Sequence, residues 1–289
     1  MIKEIIDKLV ALLAVSALLA SCSESELWQN PQTEARDGYI MLNFKTEIPA
    51  MQEVVTRAVD PDGGGVQDMT LFCFDSYGLF ISTVKAGVTV QKPGPGEMEG
   101  TFKAEVPENT RTIHFLANQN MDEFKEDSFR NKSESEVMAV LEGSSGRMIY
   151  WGRFACDAGN DSNIAEQMAT SGNSVKLIRN HARISVDNPD NNGHIVITGF
   201  AVCNTNAFGT VAPHHPKKGF DFTWPSSDDP FVTLPVNDAK MSDITDVTSS
   251  MNQYVFECEN SADAPVSVIL RGHLPDQDEE KYYRVLLVD

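Results

Sequence analysis

Met69-Thr70-Leu71-Phe72-Cys73-Phe74-Asp75 is almost continuously apolar over the length of one strand. A run this short, rich in aromatic and aliphatic residues and closed by a turn, fits a strand buried on both faces. The turn is Asp75-Ser76-Tyr77-Gly78, and Leu79 to Val84 returns as the second arm of a hairpin. The apolar stretch begins at Val66, directly after the breaker Gly63-Gly64-Gly65.

Working outward toward the N-terminus, Thr46 to Gly65 holds Pro49, Pro61 and Val54-Val55-Thr56-Arg57-Ala58, and reads as a long loop. Before it, Gly38 to Lys45 places Ile40, Leu42 and Phe44 on one face at period two, the signature of a first strand. Toward the C-terminus, Lys92-Pro93-Gly94-Pro95-Gly96 breaks the chain, and Gly100 to Val106 alternates as a strand stopped by Pro107. Arg111 to Asn118 and Met148 to Phe154 are further strands. Between them, Ser133 with Glu136 forms a capping box that predicts a short helix through Val137, Met138, Val140 and Leu141. The segment 157–174 is polar and rich in Asn, Ser and Gly, and reads as an interdomain linker, so the first domain spans 38–156.

Residues 175–289 make the second domain. Val175 to Arg179 and Ala182 to Val186 read as one strand with an irregularity at Asn180-His181. A dense turn over Asp187 to Gly193 leads to the strand His194 to Cys203. The excursion from Asn204 to Met251 carries Pro213, Pro216, Pro225, Pro230 and Pro235, after which Gln253–Cys258, Val266–Leu270 and Tyr282–Val288 close the sheet. Many short strands with little helix predict an all-β chain with a β-sandwich in each half.

The extreme N-terminus has a different character. Met1 to Lys8 is charged, Leu9 to Ala20 is apolar, and the run is too short to span a bilayer, as expected of a secretory leader over 1–21. Ala20-Ser21-Cys22 resembles the bacterial lipobox, in which the cysteine thiol is acylated and becomes the new terminus. Ser23-Glu24-Ser25-Glu26 is similar to the acidic signal that sends Bacteroidetes lipoproteins to the outer face of the outer membrane. The following segment to Asp37 is a polar tether (22–37) containing Pro31. Acyl chains on Cys22 would bury enough methylenes to anchor the chain stably.

The two lysines of the leader cancel Glu4 and Asp7, so the formal charge of −19 belongs to the chain from Cys22 onward. Such a surface repels phosphate backbones, which excludes nucleic acid as the expected partner. Cys73, Cys156, Cys203 and Cys258 are widely spaced with no CxxC or Cys/His ligand pattern, and the sequence leaves buried thiols and disulfides both open. No HExxH, GxSxG, Walker loop or dinucleotide fingerprint occurs, so neither a catalytic residue nor a cofactor is expected. His214-His215 lack a third metal ligand, and the Asp187 to Gly193 turn lacks the terminal glutamate of a calcium loop. Trp151 lies in a strand and reads as core, whereas Trp224 could stack on a sugar.

Taken together, Cys22, Thr56-Arg57-Ala58, Met69 to Asp75 with Gly78, Ile113 to Asn118 and Leu177 to Ile184 resemble, in order and spacing, the fimbrillin superfamily of Bacteroidales. The resemblance implies two transthyretin-like, Greek-key β-sandwich domains in tandem. It also implies assembly with other fimbrial subunits after lipoprotein export. In stalk subunits of that family an arginine-specific protease cuts after the first strand, and the vacated groove receives a strand from another subunit. Arg57-Ala58 matches the cleavage position, and the strand that would leave carries Ile40, Leu42 and Phe44. The chain ends at Val288-Asp289 where such pilins continue through further strands, so a truncated product or a shortened member is expected. The implied function is a structural or adhesive fimbrial subunit, with the outer membrane and a host or bacterial surface ligand as further partners. A monomeric glycan-binding surface lipoprotein is the alternative, and an enzyme with an acidic pair is the third.

Overall fold

The computed structural model describes residues 35–47, 66–93, 98–144, 148–186, 195–206, 208–214, 231–234, 252–258, 260, 262–263 and 265–287. The apolar run at its centre forms β2 (Met69–Phe74), in which all six residues are buried. The reason is that β2 lies between two cores. Met69, Leu71 and Cys73 face one, while Phe72 and Phe74 face the other. Since successive side chains of a strand point to opposite faces, only an unbroken apolar sequence satisfies both.

Around β2 the strands β1 (Tyr39–Glu47), β3 (Phe80–Pro93), β4 (Met98–Pro107), β5 (Thr112–Ala117) and β7 (Tyr150–Ala155) assemble, with β6 (Glu142–Ser144) apart from them. β2, β3 and β4 follow as antiparallel neighbours and β1 returns beside β4, which is Greek-key order. β3 is long enough to serve two sheets: Phe80 to Ala86 pairs with β2, and Gly87 to Pro93 pairs with β4 across an irregularity between Val88 and Val90. A similar crossing occurs in the next segment. β8 (Ser174–Lys176) runs parallel to β1, and β9 (Ile178–Arg179) runs antiparallel to β7. Residues 174–179 therefore join the two ends of the sheet, and the first half of the chain closes as a flattened barrel.

The segment 157–174, which its composition reads as a linker, holds regular structure of its own. Within 157–174 lies helix α2 (Ile164–Thr170), which follows the short α1 (Glu134–Met138) in the chain. Ile164, Ala165 and Met168 of α2, with Val175 and Leu177, pack into the same core as β1, β2 and β5. With one apolar face of α2 buried there, the packing of the first core runs on to Leu177. Asn180 marks the crossover. Its N–H donates to Ile149 O at 3.0 Å and its side-chain oxygen accepts from Ile149 N–H at 3.2 Å, after which β10 (His181–Ser185) belongs to different strands.

β10 pairs with β13 (Asn252–Phe256), while β11 (Val196–Cys203), β14 (Ser267–His273) and β15 (Lys281–Leu286) form a three-stranded antiparallel sheet. Phe200, Val202, Val266 and Val268 are the buried core between them, joined by Ile184, Val255 and Leu270. The two halves also meet. β12 (Phe208–Thr210) pairs with β6, and Val211, Ala212 and Val232 enter the second core of the first half beside Phe72 and Trp151. The described part of the proline-rich excursion thus covers a sheet and leaves Phe208 exposed, whereas Phe220, Phe222 and Trp224 lie outside the described residues.

Gly152 is where β7 meets the closing segment. A Cβ built there would stand 2.7 Å from Lys176 O and 2.8 Å from Leu177 Cδ2. Gly152→Ala should therefore destabilise the chain by about 1–3 kcal/mol in denaturant unfolding, the usual size of an overpacking penalty. Gly87→Ala, whose nearest atom would be Lys103 O at 3.8 Å, is the control and should stay within about 0.5 kcal/mol.

Candidate functional site

β1 is inserted between β4 and β8. Its residues pair with β4 from Tyr39 opposite Pro107 to Thr46 opposite Gly100, and its last three residues pair with Ser174 to Lys176. Ile40, Leu42, Phe44 and Thr46 alternate as buried positions, as the period-two pattern predicts. Phe44 is the deepest. Its ring stacks on Phe102 at 5.5 Å and meets the Phe115 ring edge-on at 5.0 Å. Aromatic pairs at these separations contribute about 0.5–1.5 kcal/mol beyond area burial.

Both ends of β1 are tied by polar groups. At its start Arg36 donates to Glu105 through its backbone N–H (2.7 Å) and Nε (2.6 Å), and its guanidinium lies 4.3 Å from the centre of the Tyr39 ring. The hydrogen bond from the Arg36 backbone, with smaller help from its side chain, lowers the pKa of Glu105. At its end Lys45 N–H donates to Asn173 O at 2.7 Å, Leu177 N–H donates to Glu47 O at 2.8 Å, and Ser174 Oγ donates to Glu47 Oε1 at 2.6 Å. Thr46 is an exception, because its buried Oγ1 has no hydrogen-bond partner among the described residues.

Without β1, the backbone donors and acceptors of β4 and β8 would lose their partners, and Phe102, Ala104, Val106 and Phe115 would line an empty apolar slot. A slot of this kind accepts any extended segment carrying apolar residues at i, i+2 and i+4, through ladder hydrogen bonds and side-chain burial together. Arg57 and Ala58, in the connection after β1, lie outside the described residues, as do Cys22, the Asp187 to Gly193 turn, His215 and Trp224.

A buried polar cluster on the opposite face of the sheet is invisible to motif reading. Glu134, at the start of α1, accepts from Arg153 Nε at 2.6 Å and Nη2 at 3.0 Å, and from His114 Nε2 at 2.7 Å. Trp151 Nε1 donates to His114 Nδ1 at 3.1 Å. With Nδ1 accepting, the proton of a neutral His114 sits on Nε2 and is shared with the carboxylate. Burial lowers the pKa of His114 against the raising influence of Glu134. For Glu134, burial works upward, but the hydrogen bonds and charge from His114 and Arg153 prevail and hold its pKa at about 2. His114 is fully buried and Phe231 stacks over it at 5.8 Å, so the cluster joins β5, β7, α1 and the second half of the chain.

The remaining sequence candidates fall as follows. Trp151 is core. His214 donates its backbone N–H to Glu257 at 2.8 Å and contacts Val232 O through its ring. Cys73, Cys156, Cys203 and Cys258 form no disulfide among the described residues, and burial pushes Cys73 up to about 12. Among the described residues, no group of His, Cys, Asp and Glu side chains converges as a metal site, and no helix is long and apolar enough to cross a membrane.

No protein-family model matches the chain, and no curated protein matches it. Solved structures do resemble it. It is similar to the tip fimbrial protein Mfa3 of Porphyromonas gingivalis with C-terminal truncation, at 14% identity and a TM-score of 0.49 over 86% of this chain and 82% of that one. A candidate cell adhesion protein of Parabacteroides distasonis aligns at 14% identity and a TM-score of 0.48, over 85% of this chain and 80% of the other. One from Bacteroides eggerthii aligns at 13% identity and 0.43, over 85% and 79%.

Two outcomes are expected. Phe44→Ala should cost about 3–5 kcal/mol in unfolding free energy, as for a fully buried aromatic, while Thr46→Val should add about 1 kcal/mol by removing the unpartnered hydroxyl. The cluster sets the acid limb of stability. Glu134 and His114 both have depressed folded-state pKa values, so their contribution is complete above the unfolded values of 4.5 and 6.5 and is lost as pH falls through the folded ones. Thermal melting should therefore decline from about pH 6.5 downward, and Glu134→Gln should flatten the decline between about pH 5 and 2 while lowering stability near neutrality by about 3 kcal/mol.

Proposed function

We propose that the chain is a non-enzymatic structural or adhesive subunit of a cell-surface fimbria, exported as an outer-membrane lipoprotein through Cys22 and assembled by donor-strand exchange at the position of β1. The observation that carries this reading is the placement of β1. It is the first strand among the described residues, it pairs with β4 from Tyr39 to Thr46 and with β8 through its last three residues, and its inward residues Ile40, Leu42 and Phe44 are buried in the first core. The covalent link from it to β2 is residues 48–68, which include Arg57-Ala58. One cut after Arg57 frees β1, together with Cys22 and its lipid, while the meander β2-β3-β4 and the closing segment 174–179 remain one chain. A donor strand from another subunit then regains the hydrogen bonds and burial that β1 gives up.

The fimbrial partners supply that strand, and any host or bacterial surface ligand binds elsewhere on the chain. The charge of −19 disfavours nucleic acid. Burial of Trp151 removes one of the two tryptophans considered for sugar stacking in the glycan-binding alternative.

Incubation of the chain with an arginine-specific protease, followed by N-terminal sequencing and native sizing, tests the proposal. It expects a new terminus at Ala58 and a ladder of oligomers, which Arg57→Ala should abolish. A chain that stays uncut, or fragments without oligomers, would sink the stalk version.

A further inference from the structure

The two faces of the sheet β10-β13 are packed against different halves of the chain. Its register sets His181 opposite Phe256, Ala182 opposite Val255, Arg183 opposite Tyr254 and Ile184 opposite Gln253. Alternation therefore places Ala182, Ile184, Gln253 and Val255 on one face. Ile184 and Val255 pack on Phe200, Val202, Val266 and Val268, the core of the second half. The Gln253 carboxamide ties the same face to β11, since Val202 N–H donates to its Oε1 at 2.9 Å and its Nε2 donates to Phe200 O at 2.8 Å. The other face carries His181, Arg183, Tyr254 and Phe256, and it looks toward the first half. Tyr254 packs against the first core, the one that holds Ile40, Leu42 and Phe44. Phe256 is buried over the β6-β12 pair, where Gly143 stands opposite Gly209. A Cβ built on Gly209 would lie 2.5 Å from Phe256 Cδ1 and 2.6 Å from its Cβ and Cγ. One built on Gly143 would lie 3.1 Å from Phe256 Cε1 and would overlap the Asn180 carboxamide. Facing glycines weaken a ladder, so their presence marks a close approach, and the side chain that approaches is Phe256. The His181 ring centre is 3.9 Å from that of Phe256, and His181 Nδ1 donates to Asn180 Oδ1 at 2.8 Å.

We propose that the β10-β13 sheet is a rigid joint, in which Phe256 seated on the Gly143–Gly209 pair makes the two halves of the chain one cooperative body. A two-stranded ribbon is marginal by itself. This one is stabilised from both sides by different halves, so opening the first half strips one face of it. Ile184 and Val255 then lose the support that holds them against Phe200 and Val202, and the second core opens as well. The dependence also runs the other way, because Val211, Ala212 and Val232 of the second half complete the core beside Phe72 and Trp151. The β6-β12 ladder alone is three residue pairs long. Phe256 turns that short ladder into a packed contact. The joint is independent of strand exchange and holds whether or not β1 is replaced.

Hydrogen exchange of the full chain, in urea just below its unfolding transition where amides report global opening, tests the joint. Gly152→Ala perturbs the first half only. With the halves coupled, it should speed exchange at Val268 and Ile269 of β14 by the same factor as at Leu71 and Phe72 of β2, roughly fivefold or more. Ile113→Val, a milder change in the first core, serves where Gly152→Ala is silent or fails to fold. Phe256→Ala empties the space over the glycine pair and should speed β14 roughly tenfold or more beyond β2. Adding Gly152→Ala to it should then speed β2 and leave β14 unmoved. Phe256→Leu takes its place, with the same pattern expected, if Phe256→Ala leaves the second half unfolded. If the first-half change leaves β14 unmoved in the parent, the halves open separately and the proposal is overturned. If β14 and β2 stay matched without the Phe256 ring, another contact joins the halves and the joint is overturned equally.

Discussion

Burial of Ile40, Leu42 and Phe44, on the strand paired with β4, is the interaction on which the first half of the chain depends. Fully burying three such side chains is worth about 1.5–3 kcal/mol each, before any ladder hydrogen bonds are counted. That sum is comparable with the whole stability of an ordinary domain, about 5–15 kcal/mol. A first half with an empty slot is consequently at or beyond its limit of stability. On the proposed strand exchange, the incoming strand would have to engage as β1 leaves, because a vacant form would expose both an apolar groove and unpaired strand edges.

The face of the sheet away from β1 answers a different need. There Phe72, Phe74, Leu116 and Trp151 are covered by α1 and by Val211, Ala212 and Val232 from the second half. Glu134, His114 and Arg153 are embedded in this cover. An ion pair buried this way contributes little net stability compared with apolar residues, yet losing one member leaves a buried charge without compensation. Its geometric demands are strict, so it fixes where α1 sits over β5 and β7. The cluster therefore holds this side of the sheet in register without calling on β1.

Much of the strand pattern was legible because burial writes itself into periodicity. The alternation of Ile40, Leu42 and Phe44 marked a strand with one buried face, and the unbroken run Met69 to Phe74 marked one with two. The Ser133/Glu136 box announced α1 and is present in full. The same signal stands at Asn163/Glu166, where both halves of a capping box start α2. There the surrounding Asn, Ser and Gly suggested a linker, and composition outweighed a short motif that had a direct physical meaning. The irregularity at Asn180-His181 was visible but its consequence was not, because a crossover between sheets depends on which strands have free edges. The Glu134 cluster was beyond reach for a related reason. Its members lie on α1, β5 and β7, and the register of β5 against β7, with His114 opposite Arg153, brings them together.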